Sequence, residues 1–289
     1  MKKMRLGNAS AILTSLLVGL MALAVAIGLR GAQADPLLRR ANIAVPGWPH
    51  GVRPIKVALL SDIHLGNRGM DAARLERVVA QLNRAHPDLI LLAGDFVAGR
   101  APSDGADNAG ALTGPLARLR ATLGVVAVLG NHDYWTDPDA IRSALARAGV
   151  TVLENEALQQ GPIVVVGVAD GFSGHDRVAR ALSAAHGLSG PRVVLTHSPD
   201  PARRLPPSVP LVLAGHTHCG QIVFPLIGPL LSRSPREHWR QLYDPHYRCG
   251  LVRDPGRVVI VTAGVGSGTT PIRLGAPPDW WLITIGPEL

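Results

Sequence analysis

Five apolar runs in this chain end on residues able to hold a metal ion. They deliver Asp62-Ile63-His64, Gly94-Asp95, Gly130-Asn131-His132-Asp133, Thr196-His197 and Gly215-His216-Thr217-His218. The last is the densest, with two imidazoles two residues apart directly after Leu211-Val212-Leu213-Ala214. Carboxylate, imidazole and the Asn carbonyl are hard-to-borderline ligands that suit Mn²⁺, Fe²⁺/Fe³⁺ or Zn²⁺. With a bridging carboxylate such a set holds two ions about 3.5–4 Å apart, which together stabilise the attacking and leaving oxygens of an in-line displacement at phosphorus. The same ions lower the pKa of a water between them, so that hydroxide is available near neutral pH. Taken singly, His197 reads as a core or loop histidine and Asp95 as a turn residue. Taken jointly, the five blocks read as a two-metal site.

For these motifs to meet, the runs before them must be strands whose carboxyl ends converge. Residues 55–61 form a buried-strand pattern that delivers Asp62 and His64. A helix is expected from Asp71, a good N-cap, because Leu75, Val78, Val79 and Leu82 fall on one stripe. A strand over 88–93 ends at Gly94-Asp95, and the stretch 99–111, rich in Gly, Ala, Ser and Asp, is expected to be a loop. A helix over 113–123 then leads into the strand 125–129. Asp137-Pro138 starts another helix, cap then Pro at the first position, with Gly149 at its stop. Further strands are expected at 151–153, 163–168, 193–196, 211–214, 258–262 and 281–285, and a helix at 175–186. Strands alternating with helices imply a largely parallel sheet covered by helices. In such sheets ligands sit at the carboxyl ends of the strands, where every candidate falls.

In these five blocks the chain resembles the calcineurin-like metallophosphoesterases. All are present in order between residue 57 and about residue 220, and Gly220-Gln221 with the tail Gly264-Val265-Gly266-Ser267-Gly268 and Pro271-Ile272-Arg273 resembles the membrane-anchored bacterial branch. The resemblance implies an α/β fold of two packed mixed β-sheets flanked by helices, a four-layer αββα sandwich, and two divalent metal ions drawn from Mn, Fe or Zn. It assigns Asp62, His64 and His218 to the first metal, Asn131, His197 and His216 to the second, and Asp95 to the bridge between them. His132 would lie beside the scissile phosphate as general acid or charge stabiliser. Protein phosphatases of the family carry an Asp three residues after the Gly-Asp carboxylate to orient this histidine, and here that position is Ala98. Asp133 is left with two readings, orienting His132 in catalysis or capping the loop. Cys219 stands where related sequences usually have Gly. It reads as a packed free thiol rather than a soft metal ligand.

With 289 residues, 47% of them apolar, the chain is globular in composition. Its net charge of +8 is concentrated at one end: eight basic residues among positions 1–56 face Asp35 alone, a net of +7, so the remainder is near neutral. That distribution gives no support for nucleic-acid binding, and none is expected. Two cysteines, Cys219 and Cys249, are too few for a disulfide framework and fit no CxxC metal motif, which leaves one disulfide open in an oxidising compartment. Residues 9–29 are uncharged behind Lys2, Lys3 and Arg5, long enough to cross a hydrocarbon core of about 30 Å. Residues 1–34 are therefore expected to be a membrane anchor or a signal segment. Ala32-Gln33-Ala34 has the form of a cleavage site, and Arg30 before it favours an uncleaved anchor. Residues 35–54, with Pro36, Pro46, Pro49 and Pro54, read as a linker, and 55–289 as the catalytic domain. The domain is expected at the inner membrane, on its extracytoplasmic side rather than the cytoplasmic one.

Arg233, Arg236, Arg240 and Arg248, with Trp239, Tyr243 and Tyr247, follow the histidine pair closely. They could wall a pocket and bind a phosphate or sugar headgroup, or form a solvated loop with its aromatics packed beneath it. Trp280 and Trp281 are expected to pack within a final strand. The expected function is hydrolysis of a phosphodiester or pyrophosphate on a small-molecule or lipid-linked substrate, and the resembling branch makes UDP-2,3-diacylglucosamine the most specific choice. A phosphoprotein phosphatase is the second enzymatic reading, opposed by Ala98. A non-catalytic metal-binding scaffold is the third, opposed by the complete ligand set.

Overall fold

The computed structural model describes residues 2–235 and 238–288, with the side chains of the first helix described from Ala11 onward. Arg236 of the arginine-rich insert lies outside the described residues. The chain opens on α1 (Lys2–Gln33), then β1 (Leu37–Ala44), β2 (Ile55–Leu60), α2 (Ala72–Arg84), β3 (Leu89–Ala93) and α3 (Pro102–Leu116). It continues through β4 (Val125–Val128), α4 (Asn131–Trp135), α5 (Pro138–Arg147), β5 (Thr151–Val152), β6 (Glu156–Gln160), β7 (Ile163–Val168), α6 (Val178–Ala184), β8 (Arg192–Thr196) and β9 (Leu211–Ala214). Two short hairpins follow, β10 (Val223–Phe224) with β11 (Gly228–Pro229) and β12 (Arg233–Ser234) with β13 (Arg240–Gln241). The chain ends on β14 (Gly250–Asp254), β15 (Arg257–Val261) and β16 (Asp279–Gly286).

These strands build two six-stranded sheets, in the orders β1-β16-β2-β3-β4-β5 and β14-β15-β9-β8-β7-β6. Both are mixed: β2, β3, β4 and β5 run parallel while β16 is antiparallel to β2, and β7, β8, β9 and β15 run parallel with antiparallel edges at β6 and β14. Strand periodicity divides the core. Along β2 and β3, Leu59, Leu89 and Leu91 point into a layer shared with Val165, Leu195 and Leu213 of the second sheet. Ala58, Leu60, Ile90 and Leu92 point the other way, against Leu75, Val79 and Leu82 of α2 and Leu112 of α3. A third cluster places Val166, Val194 and Val259 under Ala181 of α6. The result is helix, sheet, sheet, helix. Strands buried on both faces explain the near-continuous apolar runs in the sequence, since no face is left for polar alternation.

Local signals behaved as their chemistry dictates at two helix starts. Asp71 accepts from the Arg74 N–H at 2.7 Å and Asp137 from the Ala140 N–H at 2.9 Å. Three expectations are corrected. The strand spacing implied one largely parallel sheet, but the second half of the chain forms its own sheet packed face to face on the first. The stretch 99–111 is not a loop: α3 begins at Pro102, its start is closed by Asp104 accepting from the Arg100 and Ala101 N–H groups, and Ala109 and Leu112 pack on the core. Tertiary burial outweighs the poor helix propensity of its glycines and serines. The helix expected over 113–123 is the end of α3, which stops at Leu116. Within the expected linker, residues 37–44 form the edge strand β1, parallel to β16 with Leu38 opposite Trp280. Its exposed edge hid the pattern. Trp280 is fully buried, as expected for a packed final strand, and its indole N–H donates to Gln81 at 3.1 Å.

The segment Ala11–Gln33 of α1 is long and apolar enough to cross a membrane. Its side chains from Ile12 to Leu23 are exposed, whereas Gly28 and Ala32 are buried against the domain. There the Arg273 N–H donates to the Gly28 carbonyl at 2.9 Å, and a Cβ on Gly28 would strike the side chain of Ile272. Arg74 donates to the carbonyls of Ala32 and Ala34, at 2.7 Å each.

Leu91 lies fully buried between the two sheets, so Leu91→Ala should destabilise the fold by about 2–5 kcal/mol through lost transfer energy and the cavity left behind. A urea midpoint unchanged from the parent would contradict this packing.

Candidate metal centre

All seven candidate ligands sit where strands of the two sheets end. Asp62 and His64 follow β2, Asp95 follows β3, Asn131 and His132 open α4 after β4, His197 follows β8, and His216 and His218 follow β9. The chain turns sharply at these ends. Asp62, His64, Asp95, His216 and His218 all have left-handed backbones, with φ of 53°, 50°, 56°, 71° and 48°. Each such non-glycine residue costs about 1–3 kcal/mol, so the surrounding packing holds this geometry against its local preference. Glycine is required where loops touch: a Cβ on Gly130 would collide with Asp95, and one on Gly215 with Ser61 and Asp62.

The two carboxylates are oriented alike. Asp95 accepts the His132 backbone N–H on Oδ1 at 2.8 Å, leaving Oδ2 at 3.5 Å from His64 Nε2 and 3.2 Å from His197 Nε2. Asp62 accepts the His216 N–H at 3.0 Å and the Ser61 hydroxyl on Oδ2, leaving Oδ1 with no hydrogen-bond partner, 3.4 Å from His218 Nε2. His64 Nε2 and His218 Nε2 are 3.1 Å apart. On the other side His197 Nε2 lies 3.1 Å from the Asn131 carbonyl oxygen and 3.2 Å from His216 Nδ1. The donor atoms thus form two groups, one of Asp62, His64 and His218 and one of Asn131, His197 and His216, with Asp95 Oδ2 between them.

Three observations show that these residues fit metal ions. A cation bound at about 2.1 Å spaces neighbouring ligand atoms by roughly 3.0–3.4 Å, as these atoms are spaced. The far nitrogens of two histidines are fixed by carbonyls, His197 Nδ1 on Ala93 at 2.6 Å and His216 Nε2 on Leu242 at 2.8 Å. A carbonyl only accepts, so each of those nitrogens carries the proton and the lone pair faces the cluster. Finally, burial outweighs the local hydrogen bonds at two of these groups, pushing Asp62 up to about 7 and His64 down to about 3. Burial also opposes ionisation of Asp95, but His197, His132 and His64 outweigh it and hold that carboxyl well below its usual range.

His132 stands beside the cluster, its ring 4.8 Å from that of His64 and edge-on to it. Its Nδ1 contacts the Gly99 carbonyl at 2.6 Å. Asp133 does not orient it. Both Asp133 oxygens are taken by backbone donors, Gly130 and Phe96 at 2.8 Å and Asp95 at 2.9 Å, which ties the loops after β3 and β4 together. Of its two readings the loop cap is therefore the geometry found, because four backbone N–H groups occupy its two oxygens and the His132 Nδ1 contact is to the Gly99 carbonyl. Cys219 is likewise corrected from a free thiol: it forms a disulfide with Cys249, Cα atoms 4.7 Å apart, joining the turn after His218 to β14. The sequence separation of 30 gave no sign of the pairing.

Two further residues at the site had no role assigned from the sequence, although Arg273 lies in the Pro271-Ile272-Arg273 motif. Arg273 is buried, donates to the carbonyls of Ala263 and Gly266 at 2.6 Å, and comes within 2.9 Å of His218 Nδ1. Burial lowers it to about 10, which leaves it cationic at neutral pH. Asp170 is fully buried behind His197 and His216, with Oδ1 unpartnered. Beside the cluster a cavity of about 400 Å³ is walled by Arg100, Trp135, Phe172, Leu231, Arg233 and Tyr243. In the arginine-rich insert Arg233 and Tyr243 line the cavity, and Tyr243 and Tyr247 are buried beneath the loop.

Comparison with known proteins agrees with this geometry. The family model for the calcineurin-like phosphoesterases matches residues 55–220. An uncharacterized metallophosphoesterase of Aquifex aeolicus is 33% identical over 80% of this chain and 85% of its own length. The phosphodiesterase YaeI of Escherichia coli is 31% identical over 81% of this chain and 87% of its own. A transmembrane protein with metallophosphoesterase domain from Danio rerio is 29% identical over 86% of this chain but 57% of its own length. This chain thus spans little more than half of that relative.

Removing the Asp133 carboxylate takes the acceptor from four buried N–H groups, those of Asp95, Phe96, Val97 and Gly130. Asp133→Ala should lose about 3 kcal/mol or more of stability in urea melts and bind Mn²⁺ more weakly by calorimetry. Parent-like stability with only a shifted pH profile of turnover would instead make Asp133 an orienting partner of His132.

Proposed function

This chain belongs to the calcineurin-like phosphoesterase family and is a phosphoester hydrolase, and from that premise we propose that it is a dinuclear phosphodiesterase or pyrophosphatase acting on a lipid-linked substrate. The single observation that carries the reading is the pair of donor groups sharing Asp95 Oδ2. In it, Asp62, His64 and His218 would hold one divalent ion, Asn131, His197 and His216 would hold a second, and Asp95 would serve both; Mn, Fe or Zn suit these donors. Bound there, the ions supply charge for both oxygens of the displacement and acidify a water between them.

The protein's own groups do the rest. With His132 Nδ1 held by the Gly99 carbonyl, Nε2 is the nitrogen left to give a proton to the departing oxygen. Arg100 and Arg233 line the cavity next to the donors and bind phosphate oxygens, while Trp135, Phe172 and Leu231 supply an apolar wall. A wall of mixed character suits an amphiphilic phosphoester better than a free nucleotide.

For localisation, the membrane-capable helical segment Ala11–Gln33 supports an anchored protein, and the Cys219–Cys249 disulfide supports an oxidising, extracytoplasmic compartment. Hydrolysis of UDP-2,3-diacylglucosamine, the narrowest substrate choice, requires the cytoplasmic face. The disulfide disfavours it.

Chelation should abolish turnover of a bis-aryl phosphodiester and Mn²⁺ should restore it, while Asp95→Asn should not be rescued. His132→Ala should lower kcat by about 10²–10⁴ with metal content unchanged. Turnover indifferent to chelator and to Asp95→Asn would end the dinuclear reading. Thiol trapping of the chain from growing cells should find Cys219 and Cys249 unreactive until reduced; free thiols would return the domain to the cytoplasm.

A further inference from the structure

The hairpin β10–β11 and the turn after it form an apolar protrusion whose tip is exposed among the described residues. Residues 222–231 read Ile-Val-Phe-Pro-Leu-Ile-Gly-Pro-Leu-Leu, ten positions without a charge. Leu226 at the tip is fully exposed, Ile227 is 79% exposed and Leu230 58%. Beyond them come Arg233 and an exposed Trp239, the residue types that favour a membrane–water boundary. An exposed aliphatic cluster of this kind marks a contact surface. What it contacts is indicated by where it is attached.

The base of the hairpin is laid on the segment that docks α1. The Arg273 N–H donates to the Gly28 carbonyl of α1 at 2.9 Å, and in the next residue the Leu274 carbonyl accepts from the Val223 N–H at 2.8 Å, while the Leu274 N–H donates to the Gln221 carbonyl at 2.9 Å. The same stretch, through Thr269 and Thr270, forms one rim of the cavity, and Leu231 forms another. Helix, hairpin and cavity mouth therefore share a single short segment, residues 269–274, bridged to Ile222 at Leu274.

The helix fixes the level of that segment. About 20 residues at ~1.5 Å each cross a hydrocarbon core, and the uncharged run of α1 ends at Leu29 before Arg30. Gly28, already docked on Arg273, then lies within about one turn of the bilayer surface. From Leu274 the hairpin extends four residues to its tip, roughly 13 Å at 3.3 Å per residue. Its leucines and isoleucine are within reach of the same leaflet.

We propose that the β10–β11 hairpin, through Leu226, Ile227 and Leu230, inserts into the leaflet from which α1 emerges, so that the cavity mouth opens at the bilayer surface. The occupant of the apolar patch is lipid, by continuity with the membrane span. The inference rests on α1 being that span and deepens the proposed function: the substrate class is a phosphoester whose acyl or prenyl tail stays in the leaflet while its phosphate enters past Arg233.

Both native cysteines are paired, so Leu226→Cys in the full-length protein gives a single free thiol for an environment-sensitive fluorophore. Thr122→Cys, at the amino end of β4 and so opposite the strand ends that carry the site, is the reference position. In vesicles of phosphatidylcholine and phosphatidylglycerol the Leu226→Cys label should be blue-shifted and quenched several-fold more by lipid-borne nitroxides than the Thr122→Cys label. Equal, weak quenching at both positions, in a chain that stays in the membrane after an alkaline carbonate wash, overturns the hairpin contact and leaves α1 as the anchor. A Leu226→Cys label shielded from aqueous iodide yet untouched by lipid nitroxides overturns it in favour of a protein cover. Release of the chain by carbonate removes the span itself, and the proposal with it. The label reports membrane contact whether or not any phosphoester is turned over, so failure of the enzymatic reading is separately visible.

Discussion

The structure depends on one constraint: two carboxylates and four imidazoles are buried within a few ångströms of one another, at the ends of strands that come from both sheets. Neither sheet alone carries the set. Asp62, His64, Asp95 and Asn131 come from the first, His197, His216 and His218 from the second. The sandwich must therefore close face to face for the cluster to exist, and the apolar layer of Leu59, Leu91, Leu195 and Leu213 is what closes it. Burial of apolar area stabilises that closure, while the cluster at its end opposes it until compensated.

Compensation is built in layers. Each carboxylate gives one oxygen to a backbone N–H, which fixes its plane, and turns the other toward the histidines. Asp133 secures the loops after β3 and β4 without touching a candidate donor atom, and Arg273 does the same for the 263–266 loop behind His218. These residues explain how five left-handed, non-glycine backbones persist at one site. Fixed hydrogen bonds on both sides of each turn leave the chain no relaxed alternative.

The same segment that carries Arg273 also receives α1, so that helix and the site are mechanically one unit. A helix joined only through a flexible tether would leave the domain free to tumble above a membrane. Here the Gly28–Arg273 hydrogen bond and the Arg74 contacts to Ala32 and Ala34 fix the domain's attitude relative to the helix. The disulfide between Cys219 and Cys249 adds a covalent link between the turn after His218 and the start of β14.

The sequence by itself determined which residues meet. Metal-capable side chains after apolar runs can converge only if those runs are neighbouring strands, and strand ends, caps at Asp71 and Asp137, and the buried character of Trp280 all follow from local pattern. Features that depend on partners distant in the chain were not legible. The edge strand β1 gains its identity from β16, more than 200 residues away, and α3 is a helix because Leu112 finds the core rather than because Gly and Ser favour one. The second sheet, the pairing of Cys219 with Cys249 and the capping role of Asp133 were likewise decided by tertiary structure alone. In each case the deciding energy is a contact made across the fold, and local spacing carries no record of it.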